Sequence, residues 1–377
     1  VTESAWFGLY NGITRIELNT PIRKIPESMG LSGEVDDIIR YNDELYFATV
    51  SGIYKLKEDE TNNEFYFDVL SETFQSQCWS FSSFKDKLIA TSLGIFNLSD
   101  GRVTSSLDSA NFFQLIPYKD SYYAGMIGGL LEVNFNGNTF SKKKGIKDVK
   151  AELRYLITDP YGNLWLQSIR NDLFKFTVNH NDTIITQLKE EHGLNNSDHL
   201  FFFNFNNKFY LSTENELLEY NNETQKIEVE NELNKEIHEA FVGINDFSVS
   251  KSGSIYISKR LNNFDEFIRI DQTENGNFKI DSITFQRLPQ LYNKKIYSDK
   301  NGITWFSTSE GLYVFDENVN IKSHPAYNSI IRKVINNDSV IFGGTFFSEG
   351  KVLINQSESA VPVFEYTNNS VTFHYAA

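Results

Sequence analysis

Cysteine is almost missing. Cys78 is the only one in 377 residues, which excludes an intramolecular disulfide and a thiolate metal cluster. That usage suits the cytoplasm, and equally a periplasmic domain large enough to fold without a covalent staple. Long apolar runs are missing too: Leu200 to Phe205 reads LFFFNF and is interrupted at Asn204, far short of a membrane span. Positive charge is scarce, with 35 Lys and Arg against 50 Asp and Glu, and a net charge of -15 argues against a nucleic-acid groove or an anionic membrane surface. The chain opens at Val1 with neither an initiator methionine nor a secretion signal, as expected of a mature form or an excised fragment. Catalytic signatures are also wanting: there is no H-E-x-x-H, no G-x-S-x-G, no phosphate loop and no dinucleotide glycine fingerprint. The six histidines, His180, His192, His199, His238, His324 and His374, are scattered through polar surroundings. No catalytic residue, metal ligand or cofactor is therefore assigned. A glycosidase, which needs only two carboxylates, stays open.

What the chain does have is aromatic residues, 15% of the total, many asparagines and only 7 prolines, a composition suited to short strands joined by polar turns. It also says one thing twice: Asp159 to Gln167 reads DPYGNLWLQ and Asp299 to Ser307 reads DKNGITWFS. A calcium loop would need oxygen donors at alternating positions and a late glutamate, so D-x-x-G reads instead as a tight hairpin leading into the tryptophan strand. Aligning the chain on that tryptophan position gives Trp6, Tyr46, Leu88, Tyr122, Trp165, Tyr210, Tyr256, Trp305 and Ile341, spaced by about 34 to 49 residues. Most anchors are followed by a glycine and an aliphatic-aromatic pair, as at Gly52-Ile53-Tyr54, Gly94-Ile95-Phe96 and Gly311-Leu312-Tyr313. Repeats of this length with three or four strands each predict an all-β propeller of four-stranded antiparallel blades, whose anchor aromatics pack between blades. Inner strands are expected to start near Val35, Cys78, Phe112, Arg154, Leu200, Ile244, Ile296 and Ile331. Seven blades are expected, with the Ile331 unit packing elsewhere, although eight starts also permit eight blades.

The pattern D-x-x-G-N-L-W-L at Asp159 to Leu166, and its longer form at Asp299 to Tyr313, resembles the two-component regulator propeller repeat. Trp6 to Ile22 and Gln77 to Phe81 (QCWSF) resemble the second half of the sensor region in that family, and Asn368 to Ala377 resembles the first strand of the triple tyrosine (Y_Y_Y) domain that follows it. Together these cover nearly the whole chain, with departures: Glu216 replaces a turn glycine, and a longer loop is expected after Lys259-Arg260. The resemblance implies a periplasmic or extracellular sensor region of a membrane-anchored signalling protein, without catalysis of its own and with a homodimer at the membrane-proximal level. The domain expectation is 1-30 as the tail of a preceding propeller blade, 31-360 as the propeller and 361-377 as the start of a truncated immunoglobulin-like domain. Similar repeats occur in streptogramin lyase, so a propeller lyase or glycoside hydrolase is the alternative, and an envelope interaction scaffold a third.

Loops entering the inner strands of a propeller share a face with loops between the second and third strands. On that face Gln77, Trp79, Arg154 and His199 in the first loop set, and Tyr10, Arg170 and Arg260 in the second, are the candidates for binding a small polar ligand such as an oligosaccharide. The bland alternative for each arginine is a cap on a neighbouring blade's carbonyls.

Overall fold

Polar turns with asparagine, aspartate or glycine at positive φ separate runs of three to nine residues, and these runs are the strands, the second of most blades being buried along nearly its whole length. The computed structural model describes residues 4–10, 12–17, 20–59, 61, 64–70, 76–84, 86–99, 102–108, 110–146, 148–179, 182–195, 199–261, 263–319, 330–337, 339–343, 346–348, 351–353, 363 and 370–376. Blade 1 is Val35–Tyr41, Glu44–Thr49, Gly52–Asp59 and Glu64–Val69, paired in that order and antiparallel throughout. Blades 2 to 6 repeat the order from inner strands Ser80–Phe84, Phe112–Tyr118, Leu153–Thr158, Leu200–Phe205 and Ile244–Val249. Blade 7 takes Asn293–Ser298, Ile303–Thr308 and Gly311–Asp316 from late in the chain and its outer strand, Ile22–Lys24, from the beginning. This is a seven-bladed β-propeller with one short helix, Lys235–Phe241, between blades 5 and 6.

Each anchor from Tyr46 to Trp305 lies on the second strand of its blade. Trp165 faces Ile157 and Lys175, and Trp305 faces Tyr297 and Val314, so the two tryptophans are structurally equivalent. Both reach into the next blade: Trp165 stacks on Phe209 at 4.6 Å, and Trp305 meets Phe47 edge-on at 5.4 Å. The buried apolar residues form seven clusters, one for each blade interface, the last joining Trp305, Leu312 and Val314 to Val35, Ile38 and Phe47. A single sheet would leave one face wet, and radial packing covers both.

Two features differ from the sequence expectation. Ile22–Lys24 is an integral propeller strand rather than part of a preceding blade's tail, because a closed ring needs a strand from one chain end to pair beside the other. After Lys259-Arg260 there is no long loop; the strands Ile255–Leu261 and Phe264–Gln272 continue into a tight hairpin with Leu261 opposite Phe264. As expected, Ile330–Asn336 adds no eighth blade: with Ser339–Gly343 and Val371–Ala376 it forms a separate three-stranded sheet, in a second compact unit comprising 320–377 and the first four residues. The expected boundary at 360/361 lies outside the described residues. At the beginning, Ser4–Leu9 and Gly12–Glu17 form a two-stranded sheet that exposes Trp6, Phe7, Leu9, Tyr10, Ile13 and Ile16.

Candidate functional site

Inner strands ring the propeller axis, and five of the seven begin with the same irregularity. In blade 1 Val35 faces Thr49 while the next paired residue is Asp37, so Asp36 is bulged out; Phe113, Arg154, Asn245 and Lys294 are skipped in the same way. A bulge breaks the strict in-out alternation and re-aims side chains. It brings pairs of consecutive polar or aromatic residues to one mouth of the channel: Asp36-Asp37, Phe113-Gln114, Arg154-Tyr155, Asn245-Asp246 and Lys294-Lys295.

Part of this set holds the ring together. Asp37 accepts the Phe81 N–H at 2.8 Å, Gln114 accepts that of Leu156 at 2.7 Å, and Asp246 accepts those of Phe247 and Ile296, so each blade is stitched to a neighbour or to itself. The rest converges electrostatically. Burial pushes the Asp246 carboxyl above the usual carboxylate range, against the pull of Lys295 and its N–H donors. Asp36 is likewise raised, by burial first, with Gln77 donating to it at 2.9 Å and opposing the shift. Burial alone would depress the Lys295 ammonium, but Asp37, 3.6 Å away, and Asp246 outweigh it and raise its pKa. Tyr155 is also raised, chiefly by burial, and feels the charges of Arg154, Asp246, Lys295 and Asp36 together. Its surface is 57% open, yet the channel walls crowd it: water in a narrow mouth solvates an anion less well than bulk solvent does.

Of the seven sequence candidates, Trp79 and Arg154 come together. The Arg154 guanidinium lies over Trp79 at 5.4 Å and over Phe113 at 4.8 Å, with the two rings edge-to-face at 5.1 Å, and Glu152 accepts from its Nε at 2.7 Å. Gln77 sits against Asp36 at the same strand entries. His199 shares that entry level in blade 5, where its Nε2 is 2.7 Å from the Ile244 carbonyl. The two loop sets do share a face, since Ile169 N–H donates to Glu152 O at 3.0 Å and Arg260 N–H to Gly243 O at 3.1 Å. Arg170 is exposed on a turn there. Arg260 pairs at 2.8 Å with the fully buried Asp265 carboxylate and lies over Tyr292 at 5.3 Å, so it does structural work. Tyr10 is on the turn of the separate N-terminal hairpin, outside the blades. Sequence reasoning missed Asp36, Phe113, Tyr155, Asp246, Lys294 and Lys295. The signal that could have found them is the recurrence of two non-aliphatic residues straight after the first residue of an inner strand.

Two clefts lie off the axis. One, of about 690 Å³, is lined by Gly30, Val50, Ser51, Tyr54, Phe67, Asp68 and Val69; the other, of about 410 Å³, is beside the helix and includes Glu216, His238, Glu239 and Lys259. Neither gathers side chains from more than two blades. The axial mouth gathers them from at least five.

No protein-family model matches this chain, and no curated protein does. Solved structures do resemble it. One is described as the extracellular domain of a hybrid two component system of B. thetaiotaomicron, with a TM-score of 0.65 and 15% identity over 99% of this chain and 51% of that one. A second, described as the extracellular domain of a one component system of the same organism, has a TM-score of 0.60 and 12% identity over 90% of this chain and 48% of its own. A third is a catalytically inactive virginiamycin B lyase from Staphylococcus aureus with Quinupristin, at a TM-score of 0.54 and 8% identity over 78% of this chain and 97% of the lyase. At such identities the likeness is one of fold. The chain spans about half the length of the two sensor-protein structures.

Proposed function

We propose that this propeller is an extracytoplasmic sensing module of a larger, membrane-anchored signalling protein, binding a small polar ligand, with oligosaccharides as the first class to test, at the axial mouth. The observation that carries the reading is the convergence of Asp36, Gln77, Trp79, Arg154, Tyr155, Asp246, Lys294 and Lys295 from five blades, where strand bulges deliver more polar groups than ring closure uses. Similarity in fold to extracellular domains of one- and two-component systems supports the signalling context. The exposed apolar hairpin at Ser4–Leu9 and Gly12–Glu17 supports a role for it as outer strands of a blade begun by a preceding propeller, since a lone hairpin is marginally stable in water. The 361–377 segment would open a Y_Y_Y domain, and two copies would meet at that level. Nucleic acid is not expected as a partner of so acidic a chain.

A second reading has its own observation: Asp36 and Asp246 are two carboxyls with raised pKa values at one mouth, a property useful to an acid-base enzyme, and a lyase shares the fold. One experiment separates them. The chain is incubated with panels of oligosaccharides, amino acids and small carboxylates, and both thermal stabilisation and product formation are followed. Stabilisation without turnover is the sensor outcome; turnover abolished in Asp36→Asn or Asp246→Asn would replace it with the enzyme reading.

A further inference from the structure

Donors and acceptors at the channel mouth are unevenly matched. Every acidic group there already has a donor: Glu152 has Arg154, Asp36 has Gln77, Asp37 has the Phe81 N–H and Lys295, Asp246 has two backbone N–H groups, and Glu34 has Lys294 at 3.2 Å. The donors are not used up. The Tyr155 hydroxyl has no hydrogen-bond acceptor among the described residues, and the exposed Lys294 has only its ion pair with Glu34. Arg154 gives Glu152 the edge formed by Nε and Nη2, at 2.7 and 2.6 Å, which leaves its end-on pair of N–H groups uncommitted.

The aromatic surface is not open either. Trp79 and Phe113 are covered by the Arg154 guanidinium, so an incoming sugar ring meets the arginine before it meets the indole. Contact with two rings and anchoring by Glu152 restrain the guanidinium, and a restrained fork of N–H donors matches the two oxygens of a carboxylate better than a lone hydroxyl.

We propose that the mouth selects an acidic sugar, with the Arg154 fork and the adjacent Tyr155 hydroxyl receiving one carboxylate and Lys294, three blades further round the ring, meeting a second acidic group of the ligand. This deepens the ligand-binding reading above and rests on it.

The test is calorimetric titration of the whole chain, at low salt, with a trisaccharide of galacturonic acid and with its neutral galactose counterpart. The acid binds at least about tenfold more tightly, the scale of one charge-assisted contact. Tyr155→Phe and Lys294→Gln, both mild changes at open positions, weaken the acid more than the neutral sugar and so narrow the preference severalfold. Arg154→Gln abolishes the preference, and Arg154→Lys, which keeps the charge but loses the fork, does not restore it. If Arg154 variants fail to fold, the other two decide. Equal binding of the two sugars, failure of the acid to bind, or a preference untouched by Tyr155→Phe and Lys294→Gln overturns the proposal. Binding of the neutral sugar alone overturns it while leaving the sensor reading standing; turnover of either sugar would instead overturn the sensor reading.

Discussion

Asp159 to Gln167 in blade 4 and Asp299 to Ser307 in blade 7 have the same turn and the same strand, but they spend their aspartate differently. Both turns close alike, with Asp159 N–H on Asn163 O at 2.9 Å and Asp299 N–H on Ile303 O at 2.8 Å. In blade 4 the carboxylate stays at home: it accepts from Tyr161 N, Asn163 N, Asn163 Nδ2 and Trp165 Nε1, all between 2.8 and 2.9 Å. In blade 7 the carboxylate leaves its turn to grip the Arg40 guanidinium of blade 1, and the buried Trp305 Nε1 has no partner. Tyr297 accepts the Arg40 N–H at 2.9 Å, and Lys300, Lys294 and Lys295 add ion pairs to Asp43, Glu34 and Asp37. The seam between first and last blade thus concentrates ionic contacts. Successive blades elsewhere are tied by the chain itself; at the seam the link is one three-residue strand, and side chains supply the rest.

The largest expected effect tests the equivalence of the two tryptophans. Trp165→Ala and Trp305→Ala each remove an indole packed against the next blade and should cost about 3 to 5 kcal/mol in urea denaturation. If either variant matches the parent, that tryptophan does not bridge blades. Replacement by phenylalanine sharpens the contrast: Trp165→Phe removes one of the two donors to Asp159 Oδ2, leaving Asn163 Nδ2, and should cost roughly 1 kcal/mol more than Trp305→Phe, which loses an N–H that had no partner among the described residues.

Next come the aspartates. Asp159→Ala orphans several buried donors, and Asp299→Ala leaves a partly exposed Arg40 without its anion; about 2 to 4 and about 1 to 3 kcal/mol are expected. Salt separates them better than magnitude does. In 1 M NaCl the Debye length falls to about 3 Å, so the cost of Asp299→Ala should shrink while that of Asp159→Ala, made of local hydrogen bonds, holds. Equal salt sensitivity would erase the distinction between a self-contained turn and an ionic seam.

These contrasts also show what could be read from sequence. The repeat was legible because local chemistry carries it: polar turn, aliphatic-aromatic strand and a spacing that put Tyr46 through Trp305 on equivalent strands. Blade 7's outer strand was not, since Ile22–Lys24 is only three residues long and finds its partner nearly 300 residues later. At the mouth, Trp79 and Arg154 stood out as an aromatic and a cation at inner-strand starts, but their contact depends on Phe113, whose bulge no alternation rule foretells. Arg260 looked like a ligand contact for the same reason as Arg154. Only the buried Asp265 beside it distinguishes a committed arginine from an available one.

The smallest effect concerns Asp36, at the inner end of the ionic seam. Asp159 sits among convergent hydrogen-bond donors, whereas Asp36 has Gln77 and a more distant Lys294 against burial and the nearby Glu34 and Asp37. Its folded pKa is raised above 3.8, so the native state holds this proton more tightly than the unfolded chain does. Stability from this group is therefore greatest below the unfolded value and falls as pH rises through the raised one, the reverse of Asp43, whose lowered carboxyl strengthens the fold above 3.8 and loses that strength as pH drops. Asp36→Asn should then be slightly more stable than the parent at pH 7, by some tenths of a kcal/mol after allowing for its solvent contact, and the advantage should vanish near pH 4. Urea midpoints at the two pH values measure it. A variant less stable at pH 7 would mean that Asp36 is held as an ion-paired carboxylate, and the mouth would then belong to the seam's architecture rather than being a place where the fold tolerates an ill-solvated charge for the sake of a ligand.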